Sequence, residues 1–213
     1  MKRLAAILGI VLGLIGLGID FVAIVPSSLT ASAAGPARDL LDSIIWFWTY
    51  FTHLTNLGLV LVYVAVLSGW RWLGWFRQPV TQVAIGGYIL LVMLYYHFML
   101  APYYSFEGPM LAATIILHYV APIFYLAWWA LFAPHGNVRF TDIGRMLLPG
   151  LAYVAWALGR GLVRGEYPYD ILDAGKFGYG QVTIGILILL IAVCVFCFAL
   201  IGADRVLIRF GRR

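Results

Sequence analysis

The chain has 213 residues, 63% of them hydrophobic and 11% charged, with a mean hydropathy of +0.95. Soluble domains carry about 25% charged residues, so this balance excludes an ordinary soluble globular class. The net charge of +5 comes from basic residues spaced along the chain. That spacing points to membrane topology, and no nucleic-acid partner is expected.

A helix needs about 20 mainly apolar residues to cross roughly 30 Å of hydrocarbon. Six runs meet that length, over 4–25, 44–67, 80–101, 111–132, 146–164 and 180–203. Each is predicted to be helical, because lipid offers no partner to an unpaired backbone group and a helix satisfies its own. The expected fold is therefore all-α, a bundle of six transmembrane helices forming one domain over 1–213. Proline and glycine mark the connections: Pro26 and Gly35-Pro36, then Pro79, then Pro102 and Pro109, then Pro134 and Gly136, then Gly165 and Pro168.

The first run has a competing interpretation. Lys2-Arg3, an apolar stretch and the tract Ala31-Ser32-Ala33-Ala34 resemble a secretory signal with its cleavage site. The run of about 22 residues exceeds the usual 7–15-residue signal core, and Asp20 interrupts it, so a retained span is expected.

Basic residues flank the runs in alternation. Lys2, Arg3, Arg71, Arg77, Arg139, Arg145, Arg205, Arg209, Arg212 and Arg213 fall on one side; Arg38, Arg160, Arg164 and Lys176 fall on the other. The positive-inside rule makes the richer side cytoplasmic, with both termini there, in a multi-pass cell-membrane protein. Trp70, Trp72 and Trp75 then form an inner interfacial belt.

Polar groups inside lipid are costly, so their positions carry information. On this topology Asp20, Thr49, Thr52, His53, Asn56, His97, His118 and Arg160 all lie in the outer halves of their helices. Thr49, Thr52, His53 and Asn56 recur at i, i+3, i+4 and i+7, which is one face of a continuous helix. Such a stripe is either a hydrogen-bonded seam between helices or part of a site. At 1.5 Å per residue, Thr52 and His118 come from different helices to about the same depth, ~10–12 Å below the outer boundary, and can meet there. Pro122 removes the backbone donor expected for the His118 carbonyl, and a kink there opens space beside the imidazole. His135, beside Gly136 and Asn137, is expected to be a turn residue.

Threonine beside histidine offers acyl transfer, because neutral imidazole can take the hydroxyl proton. Asn56, or a backbone amide freed near Pro122, can then stabilise an oxyanion. Zinc at His53, His97, His118 and Asp20, as in a membrane metallohydrolase, or a b-type haem between two of the histidines, is the other chemistry open to these residues, but no two share a ligand spacing. No cofactor is expected. Cys194 and Cys197 lie in the last apolar run, where two cysteines are more often small packing residues than a redox pair.

Three stretches carry a resemblance to a known family. Tyr50-Phe51-Thr52-His53-Leu54-Thr55-Asn56, Leu117-His118-Tyr119-Val120-Ala121-Pro122 and Glu166-Tyr167-Pro168-Tyr169-Asp170-Ile171-Leu172 resemble the bacterial six-span relatives of the androgen-induced protein and the androgen-dependent TFPI-regulating protein. Lys176-Phe177-Gly178-Tyr179-Gly180 is similar to the bacterial members too. The resemblance implies hydrolysis of fatty acid esters of hydroxy fatty acids, with Thr52 as nucleophile and His118 as base. Two departures stand out: His53 adjoins Thr52, and Thr55 is a second candidate nucleophile where vertebrate members have an acidic residue nearby. Asp20 is a candidate to orient His118. Tyr167 and Tyr169 either cover a cavity mouth or anchor at the interface, and Arg160 and Arg164 either hold a substrate anion or reach for headgroups. The expected partners are membrane lipids and a lipid-like ester. The competing function is a non-enzymatic carrier or sensor with the same pocket.

Overall fold

The computed structural model describes residues 1–31 and 37–211, with side chains as far as 208. Most of the small-residue tract, 32–34, lies outside the described residues, as do Gly35-Pro36, Arg212 and Arg213. The chain is 83% helical, with no strand among the described residues. Six helices are long and apolar enough to cross a membrane: Lys2–Ser27, Phe51–Ser68, Pro79–Leu100, Gly108–Phe132, Phe140–Arg164 and Ala174–Ile208. The fold is thus the all-α multi-span class expected.

The helical elements are α1 (Lys2–Ser27), α2 (Leu40–Phe47), α3 (Phe51–Ser68), α4 (Pro79–Tyr95), α5 (Gly108–Ile115), α6 (Ala121–Phe132), α7 (Ile143–Arg164) and α8 (Ala174–Gly211). Two π-turns continue helices: Tyr96–Leu100 after α4, and Ile116–Val120 between α5 and α6. Two compact units result, one of residues 1–78 and 92–133, the other of 79–91 and 134–213.

The second apolar run differs from its expected form. It is broken into α2 and α3 by a turn over 48–50, so Thr49 is not on a helix face shared with Thr52, His53 and Asn56. The sequence there, Trp46-Phe47-Trp48-Thr49-Tyr50-Phe51, is aromatic and β-branched, and such residues lose rotamer freedom in a helix. The buried Thr49 hydroxyl bonds back to the Ile45 carbonyl at 2.8 Å, and Tyr50 turns extended (φ −74°, ψ 127°) before α3 starts. α2 itself begins at an Asp39 cap, whose carboxylate accepts from the Asp42 amide at 2.8 Å.

Within the first unit, α1 lies close against α3 and the Ile116–Val120 turn because it presents glycines. A Cβ on Gly13 would stand 2.5 Å from Val60 Cγ2, and one on Gly16 would stand 2.7 Å from Leu117 Cδ2. Small residues allow this backbone approach where lipid supplies no hydrophobic drive between helices. Leu17, Val25, Phe47 and Leu117 form a buried cluster over the seam, with Phe21, Ile24, Ile44, Trp48 and Leu57 packed around it. Arg77 folds back to donate to the Trp70 and Ala65 carbonyls at 2.7 and 3.3 Å, covering the C-terminal end of α3. Trp70, which caps the intervening turn Arg71–Arg77, and Trp72 and Trp75 within it stay exposed.

In the second unit, Tyr88 of α4 interrupts the ladder of α7. Its hydroxyl accepts from the Gly150 amide at 2.9 Å and donates to the Met146 carbonyl at 2.6 Å. Those two groups are four residues apart, the spacing of an ordinary helical bond, and Pro149 beside them cannot donate. Tyr88→Phe leaves both groups without this partner in a buried setting, and should cost about 1–3 kcal/mol. A lowered thermal midpoint in detergent is the expected result, and an unchanged midpoint would refute the bridge.

Cys197 is fully buried against Gly87, and both cysteines are free thiols. α8 starts with a sharp bend at Gly178 (φ 75°, ψ 156°). His135 does lie in the loop between α6 and α7, yet it does more than turn the chain. Its Nδ1 lies 2.7 Å from Asp204 Oδ1, and the Gly136 amide donates to Asp204 Oδ2 at 2.8 Å. Asp204 is 1% exposed, a carboxylate satisfied by the loop that covers it.

Candidate functional site

The two π-turns position the site, and the sequence accounts for one of them directly. In Ile116–Val120 the Ala121 amide donates to the Ile116 carbonyl, one residue further back than in an α-helix. Pro122 follows with no N–H. His118 sits in the middle of this widened turn, so the expected kink takes the form of a π-turn at the same place. The other turn has the same layout: Ala101 donates to the Tyr96 carbonyl at 2.7 Å, and Pro102 comes next.

His118 is half-buried and stacked on Tyr96, with ring centroids 3.9 Å apart and planes 27° from parallel. Its Nδ1 lies 3.0 Å from the Thr114 carbonyl. A carbonyl only accepts, so Nδ1 carries the proton and Nε2 keeps a lone pair. That lone pair faces Thr52 Oγ1 at 3.5 Å. The hydroxyl can therefore donate to an imidazole held in the tautomer a base requires. Thr52 and His118 thus meet, as their positions along separate spans led one to expect.

Thr52 is half-buried in the first turn of α3, and its neighbours have other work. Thr55, three residues on, donates its hydroxyl to the Phe51 carbonyl at 2.7 Å. Asn56 directs its Nδ2 to the Thr52 carbonyl at 2.9 Å and to the Leu117 carbonyl at 3.1 Å. Both amide hydrogens are thereby engaged, leaving none for an oxyanion or a substrate.

Asp20 does not orient His118 by a hydrogen bond, which corrects the sequence expectation. Its Oδ2 lies 3.2 Å from His53 Nε2. His53 is buried, stacked on Phe47 at 3.9 Å, and its Nδ1 donates to the Phe47 carbonyl at 2.6 Å. With Nδ1–H committed, Nε2 can meet a carboxyl oxygen only if one proton lies between them. The pair is either imidazolium with carboxylate or imidazole with carboxylic acid, and is neutral overall both ways. His53 thus ties together α1, the end of α2 and the start of α3, directly beside Thr52. Its spacing could not reveal this, because the α2–α3 break changes which residues face each other.

His97 is exposed, and its Nδ1 lies 3.1 Å from the Tyr119 hydroxyl, linking the two π-turns. Tyr96 and Tyr119, which sequence reasoning passed over, stand between His97 and His118. Among the described residues, no three His, Cys, Asp or Glu side chains come close enough to share a metal ion. The remaining candidates belong to the second unit. Arg160 of α7 is buried and lies 3.8 Å from Glu166. Tyr167 rests its ring on Gly161 of the same helix, and half-buried Tyr169 precedes the short turn Asp170–Leu172.

Together these features define a multi-pass α-helical membrane protein with a half-buried hydroxyl–imidazole pair at paired π-turns. No family model, curated protein or solved structure matches the chain.

Proposed function

We propose that this protein is an intramembrane threonine hydrolase acting on an amphipathic lipid ester, with Thr52 as nucleophile and His118 as general base. One observation carries it: Thr52 Oγ1 stands 3.5 Å from the His118 nitrogen that holds the lone pair, because the other nitrogen donates to the Thr114 carbonyl. The contact is long for a hydrogen bond, as catalytic contacts often are before substrate binds. The resemblance of the Thr52 and His118 stretches to the androgen-induced protein family adds support. With the topology expected from the basic residues, the pair lies near the outer end of its spans, within reach of an ester in the outer leaflet of a cell membrane.

In the reaction His118 Nε2 takes the Thr52 hydroxyl proton as Oγ1 attacks the ester carbonyl carbon. Collapse of the tetrahedral adduct breaks the ester C–O bond, and the departing alkoxide receives that proton from His118. Water, deprotonated by the same nitrogen, then attacks the acyl carbonyl; the bond to Thr52 Oγ1 breaks, Oγ1 takes the proton back from His118, and the acid is released.

The test is fluorophosphonate labelling of purified protein in detergent, with and without chelator. Wild type and Thr55→Ala should label, Thr52→Ala and His118→Ala should not, and chelator should have no effect. A folded Thr52→Ala protein that keeps full esterase activity sinks the hydrolase. Its rival, a lipid- or small-molecule-binding carrier or sensor, would give no labelling in wild type.

A further inference from the structure

We propose that Asn56 is the positioning residue of the Thr52–His118 pair, one amide group holding the backbone of both partners. The catalytic consequence rests on the hydrolase reading above; the structural one does not.

The π-turn creates a specific deficit. In an α-helix the Leu117 carbonyl would receive the Ala121 amide, but that amide is committed to Ile116. In π register the next donor would come from position 122, which is proline and has none. The Leu117 carbonyl is thus left without a helical donor, and it belongs to the peptide unit whose nitrogen is that of His118. A buried carbonyl without a donor is costly, and more so where no water enters. Asn56 Nδ2 supplies the donor from α3 at 3.1 Å.

The second hydrogen of the same nitrogen goes to the Thr52 carbonyl at 2.9 Å. The amide cannot be reversed, since Oδ1 would then face two carbonyl oxygens. Asn56 is fully buried, so no solvent competes for these bonds. A single planar NH2 group therefore spans the main chain of the nucleophile and the main chain beside the base. Its rigid geometry sets the distance between Thr52 Oγ1 and His118 Nε2. Aspartate in the same place offers only acceptors when ionised, and leucine matches the size with no donor at all.

Pro122 gives the inference a direct test. Pro122→Ala restores an N–H at the position from which a π-turn would serve Leu117. It should make Asn56 dispensable to that carbonyl. Asn56→Leu, Pro122→Ala and the double variant are compared with wild type by two readouts. The first is the rate of Thr52 labelling by fluorophosphonate. The second is the nitrogen-15 spectrum of the His118 imidazole in histidine-labelled protein, assigned with His118→Gln.

Asn56→Leu should slow labelling by about tenfold to a hundredfold, the penalty for misplacing reacting groups by about an ångström. It should also shift the His118 resonances. The double variant should recover the resonances, because Leu117 regains a donor, but not the labelling rate, because the bond to the Thr52 carbonyl is still missing. If Asn56→Leu does not fold, the double variant must fold and show wild-type His118 resonances. Wild-type labelling and unshifted resonances in Asn56→Leu overturn the proposal, and so does a resonance shift that Pro122→Ala fails to relieve or a labelling rate that Pro122→Ala fully restores. Should wild type itself not label, the hydrolase fails, and the imidazole resonances alone decide the role of Asn56.

Discussion

His118→Ala should slow acylation of Thr52 by about 10²–10⁴-fold, the usual worth of a positioned general base, with the protein still folded. The size of the effect follows from how the ring is held. Tyr96 stacks on one face and the Thr114 carbonyl accepts a hydrogen bond from Nδ1–H, so the imidazole has one orientation and one tautomer available to Thr52. Removing the ring leaves a slot between Tyr96 and the Thr52 hydroxyl with a carbonyl at its far end. Free imidazole can enter such a slot, donate to Thr114 and present its other nitrogen to Thr52. Millimolar imidazole should accordingly restore part of the labelling of His118→Ala and none of that of Thr52→Ala. Thr52→Ser keeps the hydroxyl and should stay active. A His118→Ala protein that labels at the wild-type rate would show that Thr52 is activated by something other than this ring, or not at all.

The fold was legible in the sequence because bilayer thickness and backbone hydrogen bonding leave few choices for six long apolar runs. The meeting of Thr52 with His118 was legible for the same reason: depth along a helix converts to height in a bundle. The break between α2 and α3 was not. A polar stripe at i, i+3, i+4 and i+7 reads as one helix face, and Thr49 fitted that period while its hydroxyl in fact closes a turn onto Ile45. Once the helix is broken, His53 faces back toward Phe47 and Asp20, which no period predicts. The π-turn at His118 was half legible. Pro122 announced a missing donor, but proline alone does not say which carbonyl loses its partner or which side chain replaces it. Asn56 illustrates the cost of that gap: its residue type suits an oxyanion hole, and its two hydrogens are spent on the backbone.

Asp20→Leu should destabilise the protein strongly, by about 3–5 kcal/mol, because it strands one member of a buried pair. His53 Nδ1–H is fixed on the Phe47 carbonyl, so the loss falls on Nε2, which then has neither a donor nor an acceptor in its place. The same logic predicts an uneven response to conservative changes. Asparagine at position 20 can turn its NH2 toward Nε2 and donate to the neutral ring, so Asp20→Asn should cost far less than Asp20→Leu. His53→Leu removes the ring that joins Asp20 to Phe47 and should match Asp20→Leu in severity. The double variant Asp20→Leu/His53→Leu leaves no stranded polar group at Nε2 or Oδ2, so its destabilisation should fall well short of the two single effects added together. Thermal unfolding in detergent measures all four. Equal and additive losses for Asp20→Asn, Asp20→Leu and His53→Leu would mean that the two residues stabilise separate contacts and that no proton is shared between them. Because His53 adjoins Thr52, the unfolding series also bears on the site: a variant that frees the α2–α3 turn should slow Thr52 labelling before it unfolds the protein.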